Sequence, residues 1–208
     1  MTHVDLCIVG CGGHARSVAD VALDSGMATL IFVDPRARDG EEILGYTVAT
    51  PAQFLASGVR ARHHIIALGD NAKREVEYGS FGNSEVGLVS VIARDARIGR
   101  GVLIGEGVFV GFGAHLGPSA RIGDDVIVNT RAVIEHEVSV GSHTHVAVCA
   151  VLLGRSRIGQ RGTVGAGAIV LDGVDICDDV TIGAGAVVTR NIEVAGTYAG
   201  VPARRLHD

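Results

Sequence analysis

The sequence contains no tryptophan and few aromatic residues, which excludes a core built around large rings. Aromatic side chains make up 4% of the 208 residues, whereas hydrophobic residues make up 47% and glycine occurs 30 times. The apolar content is therefore mostly Val, Ile, Leu and Ala, a composition typical of β-rich folds with small, repeated packing positions.

Other absences argue against nucleic-acid binding, membrane spanning and secretion. The formal net charge of −5 offers no basic surface for nucleic acid, so we expect no nucleic-acid partner. No run of about 18 apolar residues occurs, so we expect no membrane span. A basic N-terminal stretch followed by a long apolar run is also missing, which predicts a cytoplasmic protein without a secretion signal. The cysteines form no C-x-x-C pair and are interpreted as reduced thiols: Cys7, Cys11, Cys149 and Cys177.

A six-residue repeat fills the second half of the chain. Nineteen positions spaced six apart, from Val86 to Val194, are all Val, Ile or Leu. This period indicates short strands joined by tight turns, with one aliphatic side chain per strand pointing inward. Three strands make one triangular coil, and coils stack at the ordinary sheet spacing of about 4.8 Å. We predict an all-β parallel β-helix over residues 86–194 without projecting loops, followed by a C-terminal tail over residues 195–208.

Residues 1–85 follow a different pattern. Apolar segments such as "VDLCIVG", "ATLIFVD" and "HHIIALGD" alternate with the helix-like segments "GGHARSVADVALD" and "NAKREVEYG". Strands alternating with helices predict a small α/β domain with a parallel sheet, a Rossmann-like half domain.

A glycine-rich turn in this domain indicates nucleotide binding. Gly10, Gly12 and Ala15 have the G-x-G-x-x-A spacing of a phosphate-binding turn, and Asp34 follows about 20 residues later. A dinucleotide fold uses two mononucleotide-binding halves, and this segment has room for one. A single nucleotide carried on a substrate therefore fits better than NAD, which disfavours a dehydrogenase.

The stretch "VIEHEVSVGSHTHVAV" at residues 133–148 interrupts the repeat. The glycine that often follows each aliphatic is replaced nearby by Asn129, Glu135, Ala147 and Leu153. One coil, or 18 residues, takes His136 to Gly154, and a second takes it to Asp172. A glycine next to a histidine leaves a slot where a ligand can lie, so this corner is the candidate site.

Three interpretations of the histidines stay open. A carboxylate beside His136 orients the imidazole and stabilises its protonated form, which suits a general base. His136, His143 and His145 could instead ligate a metal, although convergence within one chain is doubtful and a subunit boundary is then needed. The third interpretation is a solvated polar turn.

The segments "IVGCGGHARSV", "NTRAVIEHE" and "AGVPARRL" together resemble the sialic acid O-acetyltransferase-type family of sugar acyltransferases. Within it, the chain is most similar to bacterial nucleotide-linked 4-amino-sugar N-acetyltransferases, over essentially its whole length. The resemblance implies a left-handed β-helix, a homotrimer with active sites in clefts between subunits, and acetyl-CoA as the acetyl donor, with no metal.

The resemblance also implies roles for individual residues. His136 corresponds to the catalytic base and Glu137 to its carboxylate partner, with Glu135 a plausible rival. The residues that correspond to the acetyl-CoA site are His145, Gly154, Ala166 and Ala184. Those that correspond to the nucleotide-sugar site are Gly12, Gly13, His14, Asp34, Gly69 and Asn129. Pro35 replaces a polar residue of the family, which leaves the choice between UDP and GDP open.

We therefore expect an acetyl-CoA-dependent N-acetyltransferase that acts on the 4-amino group of a UDP- or GDP-linked amino sugar in surface glycan biosynthesis. We expect direct transfer without an acyl-enzyme, because neither Cys149 nor Cys177 is placed to pair with His136. The alternatives are an O-acetyltransferase of sialic acid-type or other free sugars, and a non-catalytic hexapeptide scaffold or zinc hydratase.

Overall fold

The computed structural model describes residues 3–81 and 87–206. The chain divides into two compact units, Met1–Arg94 and Asp95–Asp208, here called the N-terminal and C-terminal units. The first predicted repeat position, Val86, and the predicted domain boundary beside it lie outside the described residues.

The N-terminal unit is an α/β domain with a largely parallel sheet, which confirms the predicted fold class. Its sheet has the strand order β3-β4-β2-β1-β5, and only β3 runs antiparallel to its neighbour. The elements are β1 (His3–Val9), α1 (Gly13–Asp24), β2 (Leu30–Val33), β3 (Glu42–Ile43), β4 (Tyr46–Ala49), α2 (Pro51–Ala56), β5 (Arg60–Ile66), α3 (Asn71–Phe81) and β6 (Val91–Ile92).

Both faces of this sheet are covered by apolar packing. Leu6 and Ile8 of β1 are fully buried and point to one face because side chains alternate along a strand. Cys7, between them, packs on the other face with Ile31 and Val33.

Two elements of this unit were not predicted from the sequence. The β3–β4 hairpin turns at Leu44 and Gly45, both with positive φ, +53° and +77°. Two-residue hairpin turns of this kind favour Asn-Gly or Asp-Gly, so Leu-Gly gave little signal. Helix α2 begins with a capping box between Thr50 and Gln53 and with Pro51 in its first turn, a signal that is present in the sequence.

The C-terminal unit is the predicted parallel β-helix. In its coils, strands of two or three residues form three parallel sheets, numbered 1 to 3 here. Sheet 1 contains β7 (Arg97–Ile98), β10 (His115–Leu116), β13 (Val133–Ile134), β16 (Val151–Leu152), β19 (Ile169–Val170) and β22 (Val187–Val188). Sheet 2 contains β8 (Leu103–Ile104), β11 (Arg121–Ile122), β14 (Ser139–Val140), β17 (Arg157–Ile158) and β20 (Asp175–Ile176). Sheet 3 contains β9 (Phe109–Val110), β12 (Ile127–Val128), β15 (His145–Val146), β18 (Thr163–Val164) and β21 (Val180–Ile182), extended by the tail strands β23 (Gly196–Ala199) and β24 (Arg204–Arg205).

The periodic aliphatic residues fill the interior as predicted, except at the ends. Those from Val110 to Val188 are buried, whereas Ile98 in the first coil is 43% exposed. At the other end Val194 is 53% exposed and Ile192 is buried instead, bridging to Ile176. The six-residue register therefore ends before Val194, where the chain leaves the coils to form β23.

The glycines that follow the aliphatic residues do not provide the positive φ of the turns. A residue with positive φ recurs every six positions from Gly101 to Gly185, and in the middle coils it is a non-glycine such as Glu137 or Arg155. The glycine after each aliphatic has no such φ. A Cβ at Gly117 would lie 2.6 Å from the backbone nitrogen of His136 in the next coil. Close approach between coils therefore selects glycine at these positions.

Candidate active site

His136 and Glu137 lie in the turn between β13 and β14, at the corner of sheets 1 and 2. His136 Nδ1 is 3.2 Å from Glu137 Oε2, and both side chains are about half exposed. The backbone holds this turn between its neighbours, because Glu137 N–H donates to the Pro118 carbonyl and Arg155 N–H donates to the His136 carbonyl. With Glu137 as acceptor, Nδ1 carries the proton and Nε2 presents its lone pair.

Gly154 lies beside the His136 ring in the next coil, at the same corner. A Cβ at residue 154 would lie 2.5 Å from His136 Nε2 and 3.0 Å from Asp172 Oδ2. The absence of a side chain at Gly154 therefore leaves a gap that the edge of the imidazole enters and that the Asp172 carboxylate borders. Arg155 holds this carboxylate from its other side, since its Nη2 lies 2.6 Å from Asp172 Oδ1.

His143, another histidine of the cluster, contacts a buried carboxylate. His143 Nδ1 lies 2.8 Å from Asp125 Oδ2, one coil earlier at the corner of sheets 2 and 3. The Asp125 side chain is 1% exposed and that of His143 12%. This contact joins two coils and does not face the His136 corner.

The other residues assigned to acetyl-CoA and sugar binding gather elsewhere on the β-helix. Asn129 Nδ2 lies 3.3 Å from His145 Nε2, where Asn129 occupies the corner of sheets 3 and 1. Ala166 and Ala184 lie at that same corner, joined by the hydrogen bond from Gly185 N–H to the Ala166 carbonyl. Within one chain, sheet 1 separates this group from His136 and Gly154.

Neither a metal cluster nor a cysteine pairs with His136 in the part of the chain that the structure describes. Within residues 3–81 and 87–206, no three His, Cys, Asp or Glu side chains lie close enough together to hold a metal ion. Cys149 and Cys177 occupy turns at the other two corners of the β-helix. Burial raises the pKa of the Cys7 thiol to about 12.

In the N-terminal unit, Asp34 and Arg16 fasten the glycine-rich turn between β1 and α1. Cys11 N–H donates to Asp34 Oδ2 at 3.2 Å. Arg16 Nη1 donates to the carbonyls of Cys11 and Gly12 at 2.8 and 3.0 Å. Asp34 Oδ1 accepts the Arg36 N–H at 2.8 Å. These hydrogen bonds hold the turn in place, and the carbonyl groups of Cys11 and Gly12 both accept from Arg16.

The pKa of Asp34 reflects these contacts. The carboxyl is almost fully buried, and burial alone raises its pKa. Hydrogen bonds from the Arg36 backbone and the Cys11 side chain, together with the Arg36 charge, outweigh this effect and lower the pKa below its usual value. Asp34 is thus an ionised residue that organises the turn.

The remaining residues predicted for the nucleotide lie around the same strand ends. Gly12 is the N-cap residue of α1, and Gly13 and His14 begin the helix. A Cβ added at Gly12, Gly13 or Gly69 would have no other described atom within 4 Å. These backbone segments can therefore be approached closely by a ligand, and free N–H groups at a helix start favour phosphate.

A cavity of about 770 Å³ opens beside this turn, entirely within the N-terminal unit. Gly10 and Asp34 from the predicted motif line it, together with side chains of α2 and α3 that the sequence analysis did not single out: Phe54, Lys73, Val76, Glu77 and Phe81. The four-residue spacing of Lys73 and Glu77 places both on one face of α3, a signal available in the sequence.

Family models match separate parts of the chain. Residues 5–79 match the PglD N-terminal domain. Residues 101–136 match the bacterial transferase hexapeptide repeat and residues 156–190 the hexapeptide repeat of succinyl-transferase.

Solved structures match both units together. The chain is 30% identical to PerB from Caulobacter crescentus, solved with CoA and GDP-perosamine, covering 98% of this chain and 97% of that one with a TM-score of 0.90. The chain belongs to the PglD-type hexapeptide acyltransferase family. A second family structure is the acetyltransferase domain of PglB from Neisseria gonorrhoeae FA1090 with acetyl coenzyme A, 29% identical over 98% of this chain and 100% of that one, TM-score 0.91.

The fold is shared more widely than the sequence. WeeI from Acinetobacter baumannii AYE is 22% identical, with a TM-score of 0.89 over 99% of this chain and 100% of that one. The family models and the solved structures together confirm the predicted fold class, a Rossmann-like half domain followed by a left-handed β-helix. None of the helices in residues 3–81 and 87–206 has the length and apolar character that a membrane crossing requires.

Proposed function

We propose that this protein transfers the acetyl group of acetyl-CoA to the 4-amino group of a nucleotide-linked amino sugar. The observation that carries the proposal is the His136–Glu137 pair, whose Nε2 faces the gap left by Gly154. The PerB structure holds CoA and GDP-perosamine, and these ligands support the proposed substrate class.

In the proposed reaction His136 acts as general base. The neutral amine attacks the thioester carbonyl, and the carbon–nitrogen bond forms. Nε2 removes a proton from the nitrogen of the adduct and delivers it to the sulfur as the carbon–sulfur bond breaks, giving the amide and free CoA. Glu137 accepts a hydrogen bond from Nδ1–H throughout and stabilises the imidazolium.

Gly154 is proposed to stabilise the oxyanion of the adduct. Its N–H group donates to no other group in the described residues, and it lies next to the His136 ring. Backbone N–H groups aimed at a developing oxyanion typically contribute about 3–4 kcal/mol to transition-state stabilisation.

The N-terminal unit is proposed to bind the nucleotide. The open backbone at Gly12, Gly13 and Gly69 suits the diphosphate, and the cavity next to Asp34 suits the base. One nucleotide-binding half disfavours a dinucleotide, as the sequence suggested.

We further propose that the active protein is a homotrimer in the cytoplasm. His136 and Gly154 lie at one corner of the β-helix, while Asn129 and His145 lie at another. Two copies packed side by side can bring these corners together in a shared cleft. Acetyl-CoA and nucleotide sugars made for surface glycans are consumed where they are synthesised, which favours the cytoplasm.

Ligand-induced stabilisation tests the substrate classes. The protein is heated with UDP, GDP, CMP, NAD or acetyl-CoA, and its Tm is compared with that of the free protein. A ligand at 100 times its Kd stabilises by about 2.7 kcal/mol. We expect acetyl-CoA and either UDP or GDP to raise Tm. Stabilisation by NAD alone contradicts the proposal, and a response to acetyl-CoA without any nucleotide favours a free-sugar O-acetyltransferase.

A further inference from the structure

The gap at Gly154 has a second polar wall besides His136. Asp172 occupies the same corner one coil further on, and its Oδ2 lies 3.0 Å from the point that a Gly154 Cβ would occupy. His136 Nε2 lies 2.5 Å from that same point. The imidazole edge and the carboxylate therefore border the same point beside Gly154.

Arg155 fixes the orientation of this carboxylate. The arginine Nη2 binds Asp172 Oδ1 at 2.6 Å, which leaves Oδ2 free to face the gap. No hydrogen bond or ion pair between His136 and Asp172 is found in the described chain, so the two acceptors are separated by the gap. A hydrogen bond donated by a nitrogen spans about 2.9 Å. A ligand nitrogen that lies between His136 Nε2 and Asp172 Oδ2 can therefore donate to both.

The two neighbouring acceptors at this corner favour a donor that carries more than one N–H. Both signs of charge occur here, because Arg155 binds Asp172, and Arg121 and Arg157 line a cavity together with Arg155 and Glu137. His136 is a neutral acceptor when it acts as base. A primary amine with a pKa near that of an α-amino group, about 8, is mainly an ammonium ion at pH 7. The group that fits this space is therefore an ammonium, with one N–H for each acceptor.

We propose that Asp172 is the residue that recognises the substrate ammonium and selects an amino sugar over a hydroxyl sugar. This inference rests on the proposed acetyl transfer. Asp172 Oδ2 accepts one N–H of the ammonium, while His136 Nε2 takes a second proton from it and passes that proton to solvent. The neutral amine, still bound to Asp172, then attacks the thioester carbonyl.

The test compares Asp172→Asn with Asp175→Asn. Asparagine keeps the shape and the oxygen that binds Arg155 but loses the charge. Asp175 is an exposed aspartate of the same β-helix whose contact to Arg157 is 3.9 Å, which makes it the matched control. At pH 7 we expect Asp172→Asn to raise KM for GDP-perosamine, or for its UDP-linked counterpart, by about tenfold or more. KM for acetyl-CoA and all constants of the control should stay unchanged.

The pH profile separates recognition from a structural role. At pH 9.5 the amine is mostly neutral, so the KM difference between the wild type and Asp172→Asn should shrink to less than about threefold. Affinity for GDP-mannose, which has a hydroxyl at the reacting carbon, should be the same in both proteins. Asp172→Glu should restore part of the loss at pH 7.

A loss that is equal at both pH values shows that Asp172 acts only through its pair with Arg155 and overturns the inference. An unchanged KM in a folded Asp172→Asn protein overturns it as well. If the wild-type protein acetylates neither amino sugar, the proposed function is wrong and the inference fails with it. Activity of the wild type therefore distinguishes the two failures.

Discussion

At the scale of the residue, Gly154 keeps the space that His136 needs. Alanine at this position would place a Cβ 2.5 Å from Nε2, and the half-exposed imidazole can only turn away. We therefore expect Gly154→Ala to lower kcat by about 10² or more, the usual contribution of a general base. Stability should change by less than about 0.5 kcal/mol, because the ring moves into solvent.

Gly79→Ala is the matched control for this substitution. Gly79 lies in α3 with no atom within 4 Å of a Cβ, so alanine should leave kcat unchanged and stabilise the helix by about 0.5–1 kcal/mol. Steady-state kinetics and thermal unfolding of both variants provide the comparison. Full activity in Gly154→Ala would show that the gap is not part of the site.

The resemblance assigned Glu137 as the partner of His136 and left Glu135 as a rival, and in the structure only Glu137 contacts the ring within the described residues. Glu137 contacts Nδ1 at 3.2 Å, and it reaches the ring from a turn residue with a φ of +60°. We predict that Glu137→Gln lowers kcat by about tenfold or more, because a charge-assisted hydrogen bond is lost. Glu135→Gln, which has no such contact in the described residues, should retain wild-type kcat. The reverse order of effects would assign the partner role to Glu135.

At the scale of the element, Asp34 stabilises the glycine-rich turn through its ionised form. Because its folded pKa is lowered, its contribution to stability is complete above the unfolded pKa of about 3.9 and is lost as pH falls through the lower folded value. Asp34→Asn should cost about 1–3 kcal/mol at pH 7. This difference should disappear in strong acid, measured by denaturant unfolding from pH 7 to 2. A constant difference across that range contradicts the assignment.

Much of the architecture could be read from periodicity alone. A six-residue aliphatic period has one structural solution, so the β-helix and its interior followed directly. The β3–β4 hairpin did not, because Leu44 is an unusual residue for a turn with positive φ. The spacing of 18 residues placed His136, Gly154 and Asp172 at one corner and His145 on the next face, but the contact between Asn129 and His145 was visible only in the structure. Periodicity gives positions along a coil and does not give contacts between side chains.

At the scale of the whole molecule, one sheet of the β-helix is suited to contact between copies. The outward residues of four successive strands in sheet 1 are apolar and half-buried in the single chain: Val133, Val151, Ile169 and Val187. Sheet 2 carries charged residues at the outward positions of three of its strands: Arg121, Arg157 and Asp175. Apolar patches on a surface mark interfaces. We predict a trimer by light scattering that Ile169→Arg dissociates and Asp175→Arg does not. A fully active monomer in the wild type would contradict both the trimer and the shared cleft.

The central claim is direct acetyl transfer by His136 to a nucleotide-linked 4-amino sugar. The decisive measurement is mass spectrometry of substrate and protein after incubation with acetyl-CoA and GDP-perosamine or its UDP-linked counterpart. We predict that the wild type adds one acetyl group to the sugar and releases one CoA per product. His136→Ala should do so about 10²–10⁴ times more slowly, Cys149→Ala at the wild-type rate, and no protein should carry acetyl. An acetylated cysteine on the pathway, an undiminished rate in His136→Ala, or no acetylated sugar with either nucleotide would contradict the account.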